Sequence, residues 1–261
     1  MAVASSEVPA VERSEWLSKV RAQAETAYDH FAPAYWVKYG KYSDATHRLF
    51  VKKLLGRLGP RSAVLDAACG AGRYDGLLVE PGHSVLGVDQ SAGMLARARE
   101  HFPEERFPQL RYEKLGLQEL SFEAEFDGAI CLDAMEHDCP EDWPGILASF
   151  QRALKPGGLL YVTVDAASPD EDRAAYERAR AMGLPVVPGE IADELDDAYA
   201  EATAVSPLDP SAPFGTRLDH SVYHFHPTRE QVRAWFAEAG LAIEEEGTGD
   251  DYAHFLVRKN Q

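Results

Sequence analysis

The chain has 261 residues and a formal net charge of −17, from 43 acidic and 26 basic residues. Its length fits one large domain, and 45% hydrophobic residues allow a sizeable core. The acidic field repels phosphate backbones and no basic stripe offsets it, which argues against DNA and RNA as partners. No apolar run approaches the roughly 18 residues of a membrane span, and the N-terminus lacks a signal-peptide pattern. We therefore expect a cytoplasmic protein without membrane contact.

The acidic excess is concentrated between positions 165 and 221, which hold 13 acidic and 4 basic residues. A solvated surface is the simpler explanation, and a preference for a cationic or amine-bearing ligand is the alternative. The three cysteines, Cys69, Cys131 and Cys139, show neither CxxC nor metal-ligand spacing. We expect them to be reduced and buried.

Two helices are predicted first, over 14–37 and 44–58, and Pro33 should break or kink the first near its end. Short apolar strands then alternate with amphipathic helices. The strands are predicted at 62–68, 84–89, 110–115, 127–132 and 158–165, and the helices at 72–80, 91–101 and 144–154. This alternation favours a parallel sheet with helices on both faces.

The alternation stops at residue 166. Residues 166–221 are rich in Ala, Asp, Glu and Pro, with predicted helices at 170–182 and 190–202. The regular order resumes with a helix at 227–240 and two strands, LAIEEE and DYAHFLVRK. An insertion of this length between sheet elements predicts a cap over the active face.

The segment VLDAACGAGRY (64–74) carries a glycine turn between a strand that ends at Asp66 and a helix. Gly70 and Gly72 let the backbone approach a ligand, and the helix N-terminus offers unpaired N–H groups. The dinucleotide pattern G-x-G-x-x-G fails, because Asp75 holds the third glycine position. Asp89 ends the next strand about 20 positions later, where a carboxylate can accept both ribose hydroxyls.

Two further blocks follow, FDGAICLDAMEH (126–137) and RALKPGGLLYVTV (152–164). Together, the four blocks resemble the class I S-adenosylmethionine-dependent methyltransferase family, over residues 28–259 without the insertion. The resemblance implies a Rossmann-like α/β fold with a seven-stranded, mostly parallel sheet and helices on both faces. It also implies S-adenosylmethionine as cofactor and S-adenosylhomocysteine as product, and it makes residues 155–158 a structural turn before the fifth strand.

The resemblance divides a single domain into an N-terminal helical lid (1–58), a cofactor-binding core (59–165), an inserted cap (166–226) and a C-terminal helix with strands (227–261). It implies that the cofactor contacts Asp66, Ala67, Ala68, Gly70, Gly72, Asp89, Gln90, Met94 and the Leu132 carbonyl. Many relatives carry an acidic residue near the adenine, after the third strand. Gly116 stands there in this chain, so Leu117 and Gln118 are expected to replace it.

Methyl transfer from a sulfonium depends mainly on holding two reactants in line, and a general base adds about 10²–10⁴-fold when the nucleophile must lose a proton. Glu136 and His137 follow the fourth strand, and His137 is the best candidate base; alternatively, the pair only shapes a turn. His224 is a third candidate, in HSVYHFHP (220–227). Strand alternation would put three histidines, His220, His224 and His226, on one face of this strand. No carboxylate stands at the spacing of a metal ligand, so no metal is expected.

An aromatic-rich stretch, YDHFAPAYWVKYGKY, predicts an acceptor-binding lid, although an aromatic stripe packed on the core would look similar. The expected acceptor-binding residues are Tyr28, Phe31, Tyr35, Trp36, Asp133 and Tyr223. The favoured function is methyl transfer to O, N or C of a small aromatic or heterocyclic acceptor, in specialised metabolism. The alternative is use of the cofactor without methyl transfer, as a cyclase, decarboxylase or regulatory binding module. Small molecules are the expected partners, and a homodimer is left open.

Overall fold

The computed structural model describes residues 12–40, 44–165, 169–181, 183–194 and 221–260. The helices are α1 (Arg13–Tyr39), α2 (Ala45–Leu55), α3 (Asp75–Val79), α4 (Ala92–His101), α5 (Trp143–Ala153), α6 (Pro169–Ala181) and α7 (Arg229–Glu238). The strands are β1 (Ala63–Ala67), β2 (Ser84–Asp89), β3 (Leu110–Lys114), β4 (Phe126–Cys131), β5 (Leu154–Asp165), β6 (Glu190–Glu194), β7 (Ser221–Phe225), β8 (Leu241–Gly249) and β9 (Tyr252–Lys259). None of these helices combines the length and apolar character that crossing a bilayer requires.

The main sheet has seven strands in the order β3-β2-β1-β4-β5-β9-β8. Strands β1 to β5 are parallel, and β9 runs antiparallel to both β5 and β8. This confirms the predicted seven-stranded, mostly parallel α/β fold. The turn predicted at 155–158 is wrong, because these residues lie inside β5. There the β4–β5 register shifts between Phe126 and Gly128, which accommodates Gly157 at a φ of +76°.

Alternating side chains of the central strands enter two different hydrophobic layers. In β1, Leu65 packs with Trp143 and Phe150 of α5, whereas Val64 belongs to the cluster of Phe50 in α2. All five side chains are buried. Strands covered on both faces become nearly continuous apolar runs, and this is why the sequence pattern located them well. The carboxyl ends of the parallel strands remain available for polar groups.

The sequence predicts a break or a kink at Pro33, and the break is wrong because helix α1 continues through this residue. Proline has no N–H to donate to the carbonyl four residues earlier, that of Asp29. That carbonyl lies against Gly93 of α4, where a Cβ atom would come within 3.0 Å of the oxygen. Close packing of α1 against α4 therefore keeps α1 helical at Pro33, although one backbone hydrogen bond is missing there.

Polar contacts fasten α1 to the body of the protein at several points. Near its start, Arg13 donates hydrogen bonds to Glu141 at 2.9 Å and to the fully buried Glu190 at 2.6 Å. In its second half, Asp29 accepts hydrogen bonds from the Ser91 hydroxyl at 2.6 Å and from the Gly93 N–H at 2.8 Å. These contacts fix α1 along the carboxyl edge of the sheet.

A second, two-stranded sheet pairs β6 with β7 in antiparallel register. The helix predicted over 190–202 is therefore wrong for residues 190–194, where backbone pairing with a distant strand overrides the local helical pattern. The rest of that predicted helix lies outside the described residues. The cap predicted over 166–226 is described only for 169–181, 183–194 and 221–226.

Replacing Asp29 by alanine is expected to lower the free energy of unfolding by about 1–3 kcal/mol, because two hydrogen bonds to a carboxylate are lost. The matched control is Glu25→Ala on the same helix, which removes an exposed ion pair with Lys114 that is worth about 0–1 kcal/mol. Urea unfolding of both variants measures the difference. If Asp29→Ala lowers the free energy of unfolding no more than Glu25→Ala does, the hydrogen bonds of Asp29 contribute little to stability.

Candidate functional site

A cavity lies at the carboxyl ends of β1, β2 and β4, and α1 forms one of its walls. The α1 residues that line it, Arg21, Ala24, Tyr28 and Tyr35, are spaced so that they share one face of the helix. The lining residues that were predicted to contact a cofactor are Asp66, Ala68, Gly70, Asp89, Gln90, Met94, Leu117, Gln118 and Leu132. Tyr28, Tyr35, Asp133 and His137 also line it.

The glycine turn after β1 reaches the cavity through left-handed backbone. Ala68 and Gly70 have φ values of +57° and +53°, and both line the cavity. Gly72, with a φ of +80°, does not line it. A Cβ atom at Gly72 would lie 2.6 Å from the Asp75 carboxylate, so glycine is required there to make room for that side chain. Ala67 is fully buried in the core behind the turn.

Asp89 links the glycine turn to the start of α4. Its Oδ2 accepts a hydrogen bond from the Gly70 N–H, and its Oδ1 accepts one from the Ser91 N–H, both at 2.8 Å. Burial raises the pKa of Asp89 to about 6, against the opposing effect of these two hydrogen bonds. A carboxylate oxygen can accept two hydrogen bonds, so both oxygens retain capacity toward the cavity.

Asp66, at the end of β1, is buried close to a second acid, Asp75. Burial, followed by the charge of Asp75, raises the pKa of Asp66 well above its ordinary value. Burial also raises the pKa of Asp75, to about 6, while hydrogen bonds from Tyr112 and Asp66 oppose the shift. The Tyr112 hydroxyl donates to Asp75 at 2.5 Å. We therefore place the proton on Asp66, which faces the cavity as a neutral acid.

Gln118 and Asp138 form a neutral pair at another part of the cavity wall, and both line it. The Gln118 amide donates a hydrogen bond to the Asp138 carboxyl group. Burial, followed by the charge of Asp142, raises the pKa of Asp138 to about 8. Asp138 was not predicted as a site residue, because nothing in its local sequence indicates that it folds back onto Gln118.

Asp133 follows β4 in left-handed backbone, with a φ of +51°, and it is held by a network that the sequence did not predict. His47 donates a hydrogen bond to it at 2.7 Å, and the Arg73 guanidinium forms an ion pair with it. Burial would raise the pKa of Asp133, but His47 and Arg73 hold it below its ordinary value. Arg73 directly follows the glycine turn, and this position was the one feature of the sequence that could have indicated a role in the site. His47 lies in α2, where nothing in the local sequence indicates such a role.

Asp44, His47 and Asp133 have potential ligand atoms within 4.8 Å of one another. The Arg73 guanidinium is paired with Asp133 and lies 3.8 Å from Asp44. Arg73 therefore already supplies to these two carboxylates the positive charge that a metal ion would bring. Of the three histidines predicted to share a strand face, His220 lies outside the described residues.

Tyr28 of α1 and His137, after β4, meet at the cavity. The Tyr28 oxygen lies 2.7 Å from His137 Nε2, and His137 Nδ1 lies 3.2 Å from the Tyr223 carbonyl oxygen. A carbonyl only accepts hydrogen bonds, so Nδ1 carries the ring proton. Burial lowers the pKa of His137, which keeps the ring neutral near pH 7.

Five other predicted residues do not line the cavity. Phe31 packs its ring against Tyr35 and Tyr39, and Trp36 stacks on His101 with ring centroids 3.7 Å apart. The Tyr223 hydroxyl donates to Glu190 at 2.5 Å, away from the cavity. The other two, Glu136 and His224, stand beside His137.

Burial raises the pKa of Glu136 to about 8, so this side chain is a neutral acid near pH 7. The Tyr252 hydroxyl lies 3.4 Å from its Oε1. The His224 ring centroid lies 4.8 Å from that of His137. Burial, followed by the neighbouring His137 and His226, lowers the pKa of His224.

A family model described as a methyltransferase domain matches residues 64–158, from β1 into β5. An uncharacterised methyltransferase of Synechocystis sp. is 34% identical over 114 residues, which are 44% of this chain and 51% of that protein. A trans-aconitate 2-methyltransferase of Acidovorax sp. is 26% identical over 190 residues, which are 68% of this chain and 67% of that protein. The chain spans about half the length of the first curated relatives that it matches.

A solved structure extends the likeness over nearly the whole chain. It is 1,6-didemethyltoxoflavin-N1-methyltransferase of Burkholderia thailandensis, with bound 1,6-didemethyltoxoflavin and S-adenosylhomocysteine. The alignment has a TM-score of 0.61 and 18% identity, and covers 98% of this chain and 93% of the other. At this identity the likeness establishes a shared fold.

Stability should depend on pH through Asp138. Its pKa is about 8 in the folded protein against an ordinary value of about 4. The folded state therefore binds the extra proton between these values, and stability falls as pH rises through them, by at most about 1.4 kcal/mol per pH unit. Asp138→Asn keeps an acceptor for Gln118 but removes this proton, so the variant should become progressively more stable than the parent as pH rises.

Urea unfolding of the parent and Asp138→Asn, from pH of about 5 to about 8, measures this difference. Glu123→Gln, at an exposed acid, is the control. A constant offset between parent and Asp138→Asn across the pH range would show that Asp138 does not hold a proton in the folded state.

Proposed function

We propose that this chain is a class I S-adenosylmethionine-dependent methyltransferase, which moves the methyl group of S-adenosylmethionine onto a small-molecule acceptor. The methyltransferase-domain match at residues 64–158 supports the proposal. The observation that carries the proposal is the cavity, where Asp66 of β1, Asp89 of β2 and Leu132 after β4 come together. Open α/β sheets bind ligands at this edge, outside the carboxyl ends of their strands.

In this proposal the cofactor lies along the cavity from the glycine turn to Gln118. Asp89 accepts the ribose hydroxyls with the lone pairs that Gly70 and Ser91 leave available. The glycine turn and the Leu132 carbonyl hold the methionine part, and Leu117 and Gln118 contact the adenine. Nearby aromatic rings on α1 suit a cationic sulfonium, since ring faces attract positive charge.

The acceptor is proposed to be small and aromatic or heterocyclic, and to be methylated at O, N or C. Tyr28, Tyr35 and Tyr74 line the cavity, so aromatic surface is available to pack against a planar ring. The similar Burkholderia structure contains bound 1,6-didemethyltoxoflavin. A net charge of −17 disfavours a nucleic-acid acceptor. These features suit an enzyme of specialised metabolism.

Catalysis is proposed to come mainly from positioning, because the sulfonium brings a good neutral leaving group. Helix α1, fastened to the sheet edge, limits the orientations that an acceptor adopts beside the methyl group. His137 is the proposed proton acceptor, since its ring is neutral and lines the cavity. Glu136 and His224 pack next to it.

Asp89→Ala is expected to weaken S-adenosylhomocysteine binding by roughly 10–100-fold, because hydrogen bonds to a charged group are worth about 1.5–3 kcal/mol. Isothermal titration calorimetry gives the dissociation constant, and circular dichroism checks that the fold is retained. Glu113→Ala, at an exposed acid on β3, is the control and should bind as the parent does. Parent-like affinity in a folded Asp89→Ala protein would remove Asp89 from the cofactor site.

The activity itself is tested by incubating the protein and methyl-labelled S-adenosylmethionine with an extract of its source organism. Mass spectrometry should then find a labelled small molecule only when active protein is present. Tight binding of S-adenosylhomocysteine without any transfer of label would favour a cofactor-binding protein that does not methylate. Absence of binding would defeat the proposal altogether.

A further inference from the structure

We infer that Tyr28 and His137 form a proton relay in which Tyr28 contacts the acceptor, and that the acceptor is a neutral phenol, enol or N–H heterocycle rather than a carboxylate. The inference rests on the proposed methyl transfer and names the acceptor class of that same site. Two observations support it: the positions of the hydrogen atoms on Tyr28 and His137, and the positions of both side chains in the cavity wall.

The hydrogen positions are fixed by the partners of the imidazole. Nδ1 faces the Tyr223 carbonyl at 3.2 Å and must carry the proton. A neutral ring then has its lone pair on Nε2, and the Tyr28 hydroxyl, 2.7 Å away, donates to it. The basic nitrogen is therefore already engaged, so a proton leaving an acceptor reaches it by way of the Tyr28 oxygen.

Both members of the relay line the cavity, and they come from different elements of the fold. Tyr28 stands on the wall formed by α1, whereas His137 follows the carboxyl end of β4, close to Leu132 and Asp133. The two rings meet edge to face, with centroids 5.3 Å apart. The relay therefore needs α1 in its place along the cavity, because the sheet edge alone supplies only the imidazole.

The acceptor's O or N attacks the methyl carbon, the sulfur–carbon bond breaks, and its electron pair stays on sulfur. The acceptor's proton passes to the Tyr28 oxygen while the original Tyr28 proton passes to His137 Nε2. The products are the methylated acceptor, neutral S-adenosylhomocysteine and a His137 imidazolium that still donates from Nδ1 to Tyr223.

The charges around His137 suit a base that is neutral at rest and briefly protonated. Burial and His226 lower the pKa of His137, whereas the Tyr223 carbonyl and the charges of Asp165 and Asp133 raise it. His224 is adjacent and its own pKa is lowered, so it adds no positive charge near pH 7. An imidazolium formed during transfer therefore has two carboxylates to stabilise it.

The acceptor class follows from what such a relay accomplishes. A carboxylate is already ionised near pH 7, so the relay would have no proton to take from it. It would also bring a negative charge toward Asp133, whose pKa is held low. A phenol, enol or heterocyclic N–H has a proton that the relay removes as the bond forms, which avoids a free anion in the cavity.

The activity test uses 2-naphthol and 2-naphthoate, which share one ring system and differ in whether the nucleophile carries a proton. The parent protein should transfer labelled methyl to 2-naphthol in preference to 2-naphthoate. Tyr28→Phe and His137→Gln should each lower kcat for 2-naphthol by about 10²-fold, within the range that a general base contributes. The loss should shrink as alkaline pH ionises the naphthol.

The control variant is Tyr176→Phe in α6, whose hydroxyl contacts Arg180 and which lies outside the cavity wall. All three variants should keep the parent's dissociation constant for S-adenosylhomocysteine, which separates proton transfer from cofactor binding. Preference of the parent for 2-naphthoate, or an undiminished kcat in Tyr28→Phe, would overturn the inference. Failure of the parent to bind S-adenosylhomocysteine would instead defeat the proposed function.

A second measurement needs no acceptor. Nitrogen-15 NMR of labelled histidine should show His137 as a neutral ring with its proton on Nδ1, in the presence of S-adenosylhomocysteine. Tyr28→Phe should shift the Nε2 resonance, because the hydrogen bond to that nitrogen is lost, whereas Tyr176→Phe should leave it unchanged. A proton on Nε2, or an Nε2 resonance that ignores Tyr28→Phe, would overturn the relay even if neither naphthalene probe is methylated.

Discussion

The hydrogen bond from the Gly70 N–H to the Asp89 carboxylate is the contact on which the site depends. It joins the turn after β1 to the end of β2, and the other Asp89 oxygen receives the Ser91 N–H at the start of α4. Ser91 in turn donates to Asp29, which fastens α1. One carboxylate therefore sets the shape of the glycine turn, the position of a helix N-terminus and, through one further residue, the wall that closes the cavity.

Buried acids surround the cavity, but they do not make it uniformly negative. Asp66 and Asp138 are neutral near pH 7 because burial and neighbouring carboxylates raise their pKa values. Asp133 stays ionised, with Arg73 and His47 as its partners. The net charge of −17 thus describes the outer surface of the protein more than its interior. Each acid in the wall has a partner or a proton, and this restricts which side chains could replace it.

The sheet could be predicted from the sequence because strands buried on both faces leave apolar runs. Asp89 was predicted from its position at the end of a strand, whereas the cofactor contacts of Asp66 and Leu132 were implied by the family resemblance. The errors arose where a distant segment decides the local structure. Residues 190–194 form a strand because β7 pairs with them, and α1 continues through Pro33 because α4 packs against the Asp29 carbonyl. Arg73, His47 and Asp138 belong to the site because they contact residues that are distant in sequence. The periodicity of hydrophobic residues does not predict such contacts.

The pairing of Asp133 with Arg73 and His47 at the end of β4 also bears on how the cavity distinguishes two ligands. In the proposed reaction a cationic sulfonium becomes an uncharged thioether, so the ligand loses one positive charge while the charges in the wall stay fixed. Because Asp133 is already paired, it adds little attraction for the sulfonium. The aromatic rings of Tyr28 and Tyr35 in the wall attract a cation but not a neutral thioether, so they favour the methyl donor over the product.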